Sequence, residues 1–253
     1  MKGFGTDEKA ICAVLGRIPD PIIMRTVRNT YAQQYRKDLL HDISGETSGY
    51  FGETCEACIR GPLEQDVHQL NDAIAGAGTK ENVLNDILLG RSNADLRAIK
   101  AEYQRVYRRS LEHDVKNDLS AKTETLFLMV LDAKREEDSA PVMPQSIEHD
   151  ISELHRATVG TKFGADQITV CQIFATRSDG QLRAISRAFE QKYRKSLMKV
   201  IEGEFKGHME DALMRMLGVA EDRAMADAVV SIEPCEPFEP CSPCMLLDGG
   251  GEC

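Results

Sequence analysis

The chain has 253 residues, 42% hydrophobic and 28% charged, which is enough for a substantial core. Its formal net charge of −10 sets it against bare polyanions, so no nucleic-acid partner is expected, and an anionic lipid surface is excluded unless a cation intervenes. The longest apolar run is LFLMVL at 126–131, too short to cross a membrane, and MKGFGTDE lacks the apolar stretch of a secretory signal.

The first predicted elements lie in GFGTDEKAICAVLGR, where Asp7 and Glu8 follow Thr6 and suit the first turn of a helix. YAQQYRKDLLHDISGE follows, ending at Glu46. The same order returns in GAGTKENVLNDILLGR and SNADLRAIKAEYQRVYRRSLEHDVKND, and again in KFGADQITVCQIFATRSDGQLRAISRAFEQKYRKSLMKVIEGE. Each copy carries an aromatic pair four residues apart: Tyr31 and Tyr35, Tyr103 and Tyr107, Phe189 and Tyr193. A basic pair, a polar residue and a leucine come next in every copy. Loop glycines Gly5, Gly78 and Gly164 mark intervals of 73 and 86 residues, and the longer one contains EEDSAPVMPQS (136–146), which reads as a linker.

Within the copies the apolar period is helical. Val83, Leu84, Ile87 and Leu88 share one face, as do Leu96, Ile99, Tyr103 and Val106. Ser92 with Asp95, and Ser178 with Gln181, have the spacing of capping boxes. No segment alternates with the period of a strand. The expectation is an all-α array of helical repeats.

An acid stands 40 or 41 residues after each loop glycine: Glu46 after Gly5, Asp118 after Gly78, Glu204 after Gly164. A glycine turn that presents carbonyl oxygens, closed by a carboxylate from a later helix, suits a hard cation such as Ca2+. A cation held there would join an acidic protein to acidic phospholipid, so membrane binding would switch with calcium.

MKGFGTD with Glu46, AGAGTKENVL with RSNADLRAIKAEY, and TKFGADQITV with EGEFKG resemble three consecutive annexin repeats over roughly 1–230. The resemblance implies about five short helices per repeat, no enzyme activity, and calcium-dependent binding to acidic phospholipid membranes. It implies metal ligands at Met1, Gly3, Gly5 and Glu46; at Ile74, Gly76, Gly78 and Asp118; and at Gly160, Lys162, Gly164 and Glu204. Departures from the family pattern are IAGAGT in the second loop, which lacks the lysine usual directly before the first glycine, Asp118 in place of a longer glutamate, Lys162 in place of the first loop glycine, and Ala165 in place of threonine. Phe4 and Phe163 stand at loop tips, where they would either meet lipid headgroups or pack on their own loops.

The expected organisation is a first repeat without its helix A at 1–61, a second repeat at 62–135, the linker, and a third repeat with the approach to an absent fourth at 147–230. A disordered tail at 231–253 would hold Cys235, Cys241, Cys244 and Cys253. Repeats bury their faces on one another, so self-association is expected. The reading places the protein in the cytoplasm with reduced thiols, peripheral on membranes when calcium rises. The rival reading is a calcium-independent interaction scaffold with degenerate sites. A scaffold would have no need of acids in that register.

Overall fold

The computed structural model describes residues 5–75, 78–159 and 165–232. Those residues form fifteen α-helices and no strand. Four helices come first: α1 (Glu8–Leu15), α2 (Pro21–Tyr35), α3 (Leu39–Glu46) and α4 (Gly49–Arg60). Five follow: α5 (Pro62–Ile74), α6 (Glu81–Leu88), α7 (Asn93–Tyr107), α8 (Leu111–Asp118) and α9 (Ala121–Leu131). The next five are α10 (Pro144–Ala157), α11 (Gln167–Thr176), α12 (Asp179–Tyr193), α13 (Leu197–Glu204) and α14 (His208–Glu221), and α15 (Arg223–Ile232) comes last.

The repeat is visible in the lengths. α2, α7 and α12 each have 15 residues, and α3, α8 and α13 each have 8. Each long helix stops the same way, on an arginine in the left-handed region: Arg36 at φ 54°, Arg108 at 58° and Arg194 at 56°. Glycine or asparagine is the usual residue there, because a Cβ is strained at positive φ. Each short helix then starts on a side-chain cap: Asp38 accepts from the His41 N–H, Ser110 from His113 and Ser196 from Lys199.

The two expected capping boxes are half made. Ser92 Oγ accepts from the Asp95 N–H at 3.1 Å and Ser178 Oγ from Gln181 at 3.2 Å. The reciprocal side chains go elsewhere. Asp95 accepts the Ser92 hydroxyl at 2.8 Å, while the Gln181 amide bonds the backbone of Met143.

Two cores hold the helices. A large one runs from Val67 to Ala220 and joins α5–α9 to α10–α14, with α9 packed on α11 and α14 packed on α6 and α9. A small one contains Met24, Ile43, Cys55 and Ile59, with Ile11, Leu15 and Phe51 packed around it. α4 packs on α5, and Arg28 bridges to Glu64 at 2.7 Å between the two regions. The segment between α9 and α10 is clamped by polar groups. Asn93 exchanges hydrogen bonds with the Arg135 backbone, Arg135 pairs with Asp179, and Asp138 accepts the Asp179 N–H at 3.2 Å.

Candidate metal-binding loops

α3, α8 and α13 end on Glu46, Asp118 and Glu204. The C-terminal end of a helix carries its unpaired carbonyls and the negative end of its dipole, so a carboxylate is electrostatically misplaced there. A cation placed nearby would offset that cost, and it recurs in all three copies.

The first two glycine loops come to these helix ends. Gly5 and Gly78 both have φ of 93°, a left-handed conformation open to glycine, and nothing lies within 4 Å of where a Cβ would stand. In the first copy the Thr6 hydroxyl donates to the Glu46 carbonyl at 2.5 Å, leaving the exposed Glu46 carboxylate facing solvent. In the second, the Thr79 hydroxyl donates to Asp118 Oδ2 at 2.6 Å, and Asp118 is half-buried. One threonine therefore holds each loop to its acid, by the backbone in one case and by the carboxylate in the other. In the third copy Ala165 cannot make this bond, and Glu204 is exposed at the end of α13.

The bases of the second and third loops are tied by the backbone. The Lys80 N–H donates to the Ala73 carbonyl at 3.1 Å, and the Asp166 N–H donates to Ala157 at 2.6 Å. Asp166 then caps α11 by accepting the Thr169 N–H and also accepts the Thr169 hydroxyl at 2.8 Å, a bond that holds its carboxyl below the usual carboxylate range. Ile74 is the last residue of α5 and packs partly buried on the large core, which fixes the start of the second loop. Its carbonyl has no donor within the helix. Met1, Gly3, Gly76, Gly160, Lys162 and Gly164, with Phe4 and Phe163, lie outside the described residues.

The residues present fit a hard cation and not a soft one. Among the described residues no three His, Cys, Asp or Glu side chains converge to hold a metal. Glu46, Asp118 and Glu204 give each copy one helix-end carboxylate, so most ligands would have to be backbone carbonyls, the oxygen set that calcium accepts.

Some polar features escaped sequence reasoning. Tyr31 donates to Asp42 at 2.6 Å and Tyr103 to Asp114 at 2.8 Å, tying the long helix of each copy to its short one. The hydrogen bond to Asp42, with burial, pushes the Tyr31 phenol up to about 12, and the same bond lowers Asp42. The eleven-residue spacing was the available signal, and the third copy has Phe189 and Val200 instead. His208 is buried between α14 and α6, with Nε2 3.0 Å from Asn85 Oδ1 and Nδ1 3.4 Å from Glu81. His155 stacks on Tyr193 with ring centroids 4.0 Å apart.

A family model for annexins matches residues 1–57, 65–130 and 146–216. Annexin C1 of Cryptococcus neoformans var. grubii is 40% identical over 212 residues, covering 84% of this chain and 44% of the relative. Human annexin A13 is 35% identical over 222 residues, covering 87% of this chain and 69% of the relative. The solved structure of annexin III superposes with a TM-score of 0.84 at 28% identity, covering 90% of this chain and 70% of that one. The chain thus spans less than half the length of annexin C1.

Proposed function

The chain belongs to the annexin family, and on that premise we propose that it is a peripheral membrane protein whose repeat loops hold calcium against anionic phospholipid. Annexins in general bind phospholipid in a calcium-dependent manner and are generally not enzymes. The observation that carries the reading is the acid at the C-terminal end of α3, α8 and α13, with a left-handed glycine loop fastened beside the first two.

In this reading the cation is held by Met1, Gly3 and Gly5 with Glu46, by Ile74, Gly76 and Gly78 with Asp118, and by Gly160, Lys162 and Gly164 with Glu204. Calcium takes six to eight oxygens, so positions unfilled by protein remain for lipid phosphate. With a net charge of −10 the chain is repelled by an anionic bilayer until the ion is bound, which makes attachment switchable. No described helix is long and apolar enough to span a bilayer, consistent with attachment from the surface. The protein would be cytoplasmic and move to membranes as calcium rises.

The test is co-sedimentation with phosphatidylserine vesicles, in calcium and in chelator, for the natural chain and a Glu46→Ala/Asp118→Ala/Glu204→Ala variant. Pelleting that needs calcium and is lost in a variant of unchanged helical content is the expected result. Equal pelleting of both proteins, or none by the natural chain at millimolar calcium, would overturn the loop-and-carboxylate assignment.

A further inference from the structure

The second and third repeats cover one another reciprocally. α6 and α11 each follow a loop, α9 and α14 each follow a helix-end acid, and α9 packs on α11 while α14 packs on α6. An exchange of the same two elements is the relation found across a twofold axis. Three side-chain contacts fix the α14–α6 half of it. His208 Nε2 lies 3.0 Å from Asn85 Oδ1, His208 Nδ1 lies 3.4 Å from Glu81, and Arg215 Nε lies 3.6 Å from Asp86. His208, Ala212, Arg215 and Met216 fall at helical spacing on one face of α14, and Ala212 and Met216 are buried.

In the first repeat the same positions are uncovered. Counted from the loop glycine, Glu8, Cys12 and Ala13 stand where Glu81, Asn85 and Asp86 stand. Counted from the helix-end acid, Tyr50, Thr54, Ala57 and Cys58 stand where His208, Ala212, Arg215 and Met216 stand. Cys12, Ala13, Thr54 and Cys58 are exposed, and Tyr50 is 61% exposed where His208 is 7%. α1 packs on α4, which brings the two sets side by side.

We propose that this face pairs with the same face of a second chain, in a twofold dimer where α4 of each chain lies on α1 of the other as α14 lies on α6. The surface is complementary to itself. Alanine replaces both ends of the Arg215–Asp86 ion pair, so Ala57 of one chain meets Ala13 of the other and no charge is left unpaired there. Tyr50 stands in the place of His208, and its hydroxyl meets Glu8 of the other chain as His208 meets Glu81. Both halves of each pairing lie on one face, which is what a contact between like surfaces requires. Covering Tyr50, Cys12 and Cys58 also removes apolar surface from water. A twofold contact occupies the face on both chains, so assembly stops at two. The dimer uses α1 and α4 alone and stands independently of the calcium reading.

The test is analytical ultracentrifugation of the full chain in chelator and dithiothreitol, where neither calcium nor a disulfide can link chains. The expected species has twice the 28.1 kDa mass of one chain and dissociates on dilution. Ala13→Asp and Ala57→Arg each set an unpaired charge against alanine, and each should weaken dimerisation at least about tenfold with helical content unchanged. Ala13→Asp/Ala57→Arg rebuilds the ion pair across the axis and should bring the dissociation constant back to within about threefold of the natural value. The proposal is refuted by a chain that stays monomeric at high micromolar concentration or assembles beyond two. Single variants that dimerise as the natural chain does, or a double variant as weak as the singles, refute it equally.

Discussion

The Tyr103–Asp114 tie can be broken from either side, and the third repeat shows what happens when both partners are replaced. Tyr103 is fully buried, its hydroxyl bonds Asp114 at 2.8 Å, and Arg109 Nε approaches the same oxygen at 3.4 Å. Tyr103→Phe keeps the ring and removes one hydrogen bond to a charged group, a loss of about 2 kcal/mol. Asp114→Val leaves the tyrosine hydroxyl buried without its acceptor and takes an acid from the first turn of α8, together about 2–3 kcal/mol. The double variant reproduces Phe189 and Val200, both fully buried in the third repeat. It should cost no more than about 1.5 kcal/mol, well below the sum of the single changes, giving a coupling of at least about 2.5 kcal/mol. Urea denaturation followed by circular dichroism measures all four corners, with the slope checked for constancy. Single-variant losses that simply add, within about 0.5 kcal/mol, would refute the claim that the two groups act as one unit.

Two further outcomes follow from groups at the loops and between repeats. Burial holds the His208 imidazole below its ordinary value, while Glu81 and Asp211 oppose the shift. The unfolded chain then binds the extra proton as pH falls through about 6.5, so stability present above that pH is lost below it. The urea midpoint should fall between pH 7.5 and 5 by less in His208→Gln than in the natural chain, and an equal fall in both would refute this. Gly78→Ala meets no neighbouring atom but strains a residue held at φ 93°. It should weaken calcium binding at the second loop by about tenfold, or about 1.4 kcal/mol, and an unchanged calorimetric titration would contradict the loop geometry.

Much of this architecture was legible in the chain because it is written three times. The recurrence of loop glycine, aromatic pair and acid predicts equivalent helices, and α3, α8 and α13 do end on the three acids picked out. The ring pairs four residues apart do touch, at centroid distances of 4.8, 5.0 and 4.9 Å. Left-handed arginines were not legible, since nothing in YRKDLL, YRRSLE or YRKSLM marks a position where glycine is the usual choice. The neighbouring short helix, capped at Asp38, Ser110 or Ser196, sets that turn, which is a tertiary constraint. His208 meets Asn85 across 123 residues, and no periodic pattern encodes such a pairing. At the site, one acid per loop could be read from spacing. The different uses of Thr6 and Thr79 could not, because a hydroxyl's choice between a carbonyl and a carboxylate depends on a fraction of an ångström.

The separation of the two cores bears on how cooperative the molecule can be. Few buried side chains hold α1–α4 to one another, and this group meets the rest through α4 against α5 and the Arg28–Glu64 bridge. In a linear array, stability is a sum of unit terms and nearest-neighbour terms, so the unit with the smallest core opens first. Heat or urea therefore opens α1–α4 first, and the urea transitions of the Tyr103, Asp114 and His208 variants report the larger core. The Gly5 loop belongs to the weaker foldon. Any ligand captured there draws on the population in which that foldon is closed, and by mass action it adds most stability to the part of the chain that has least.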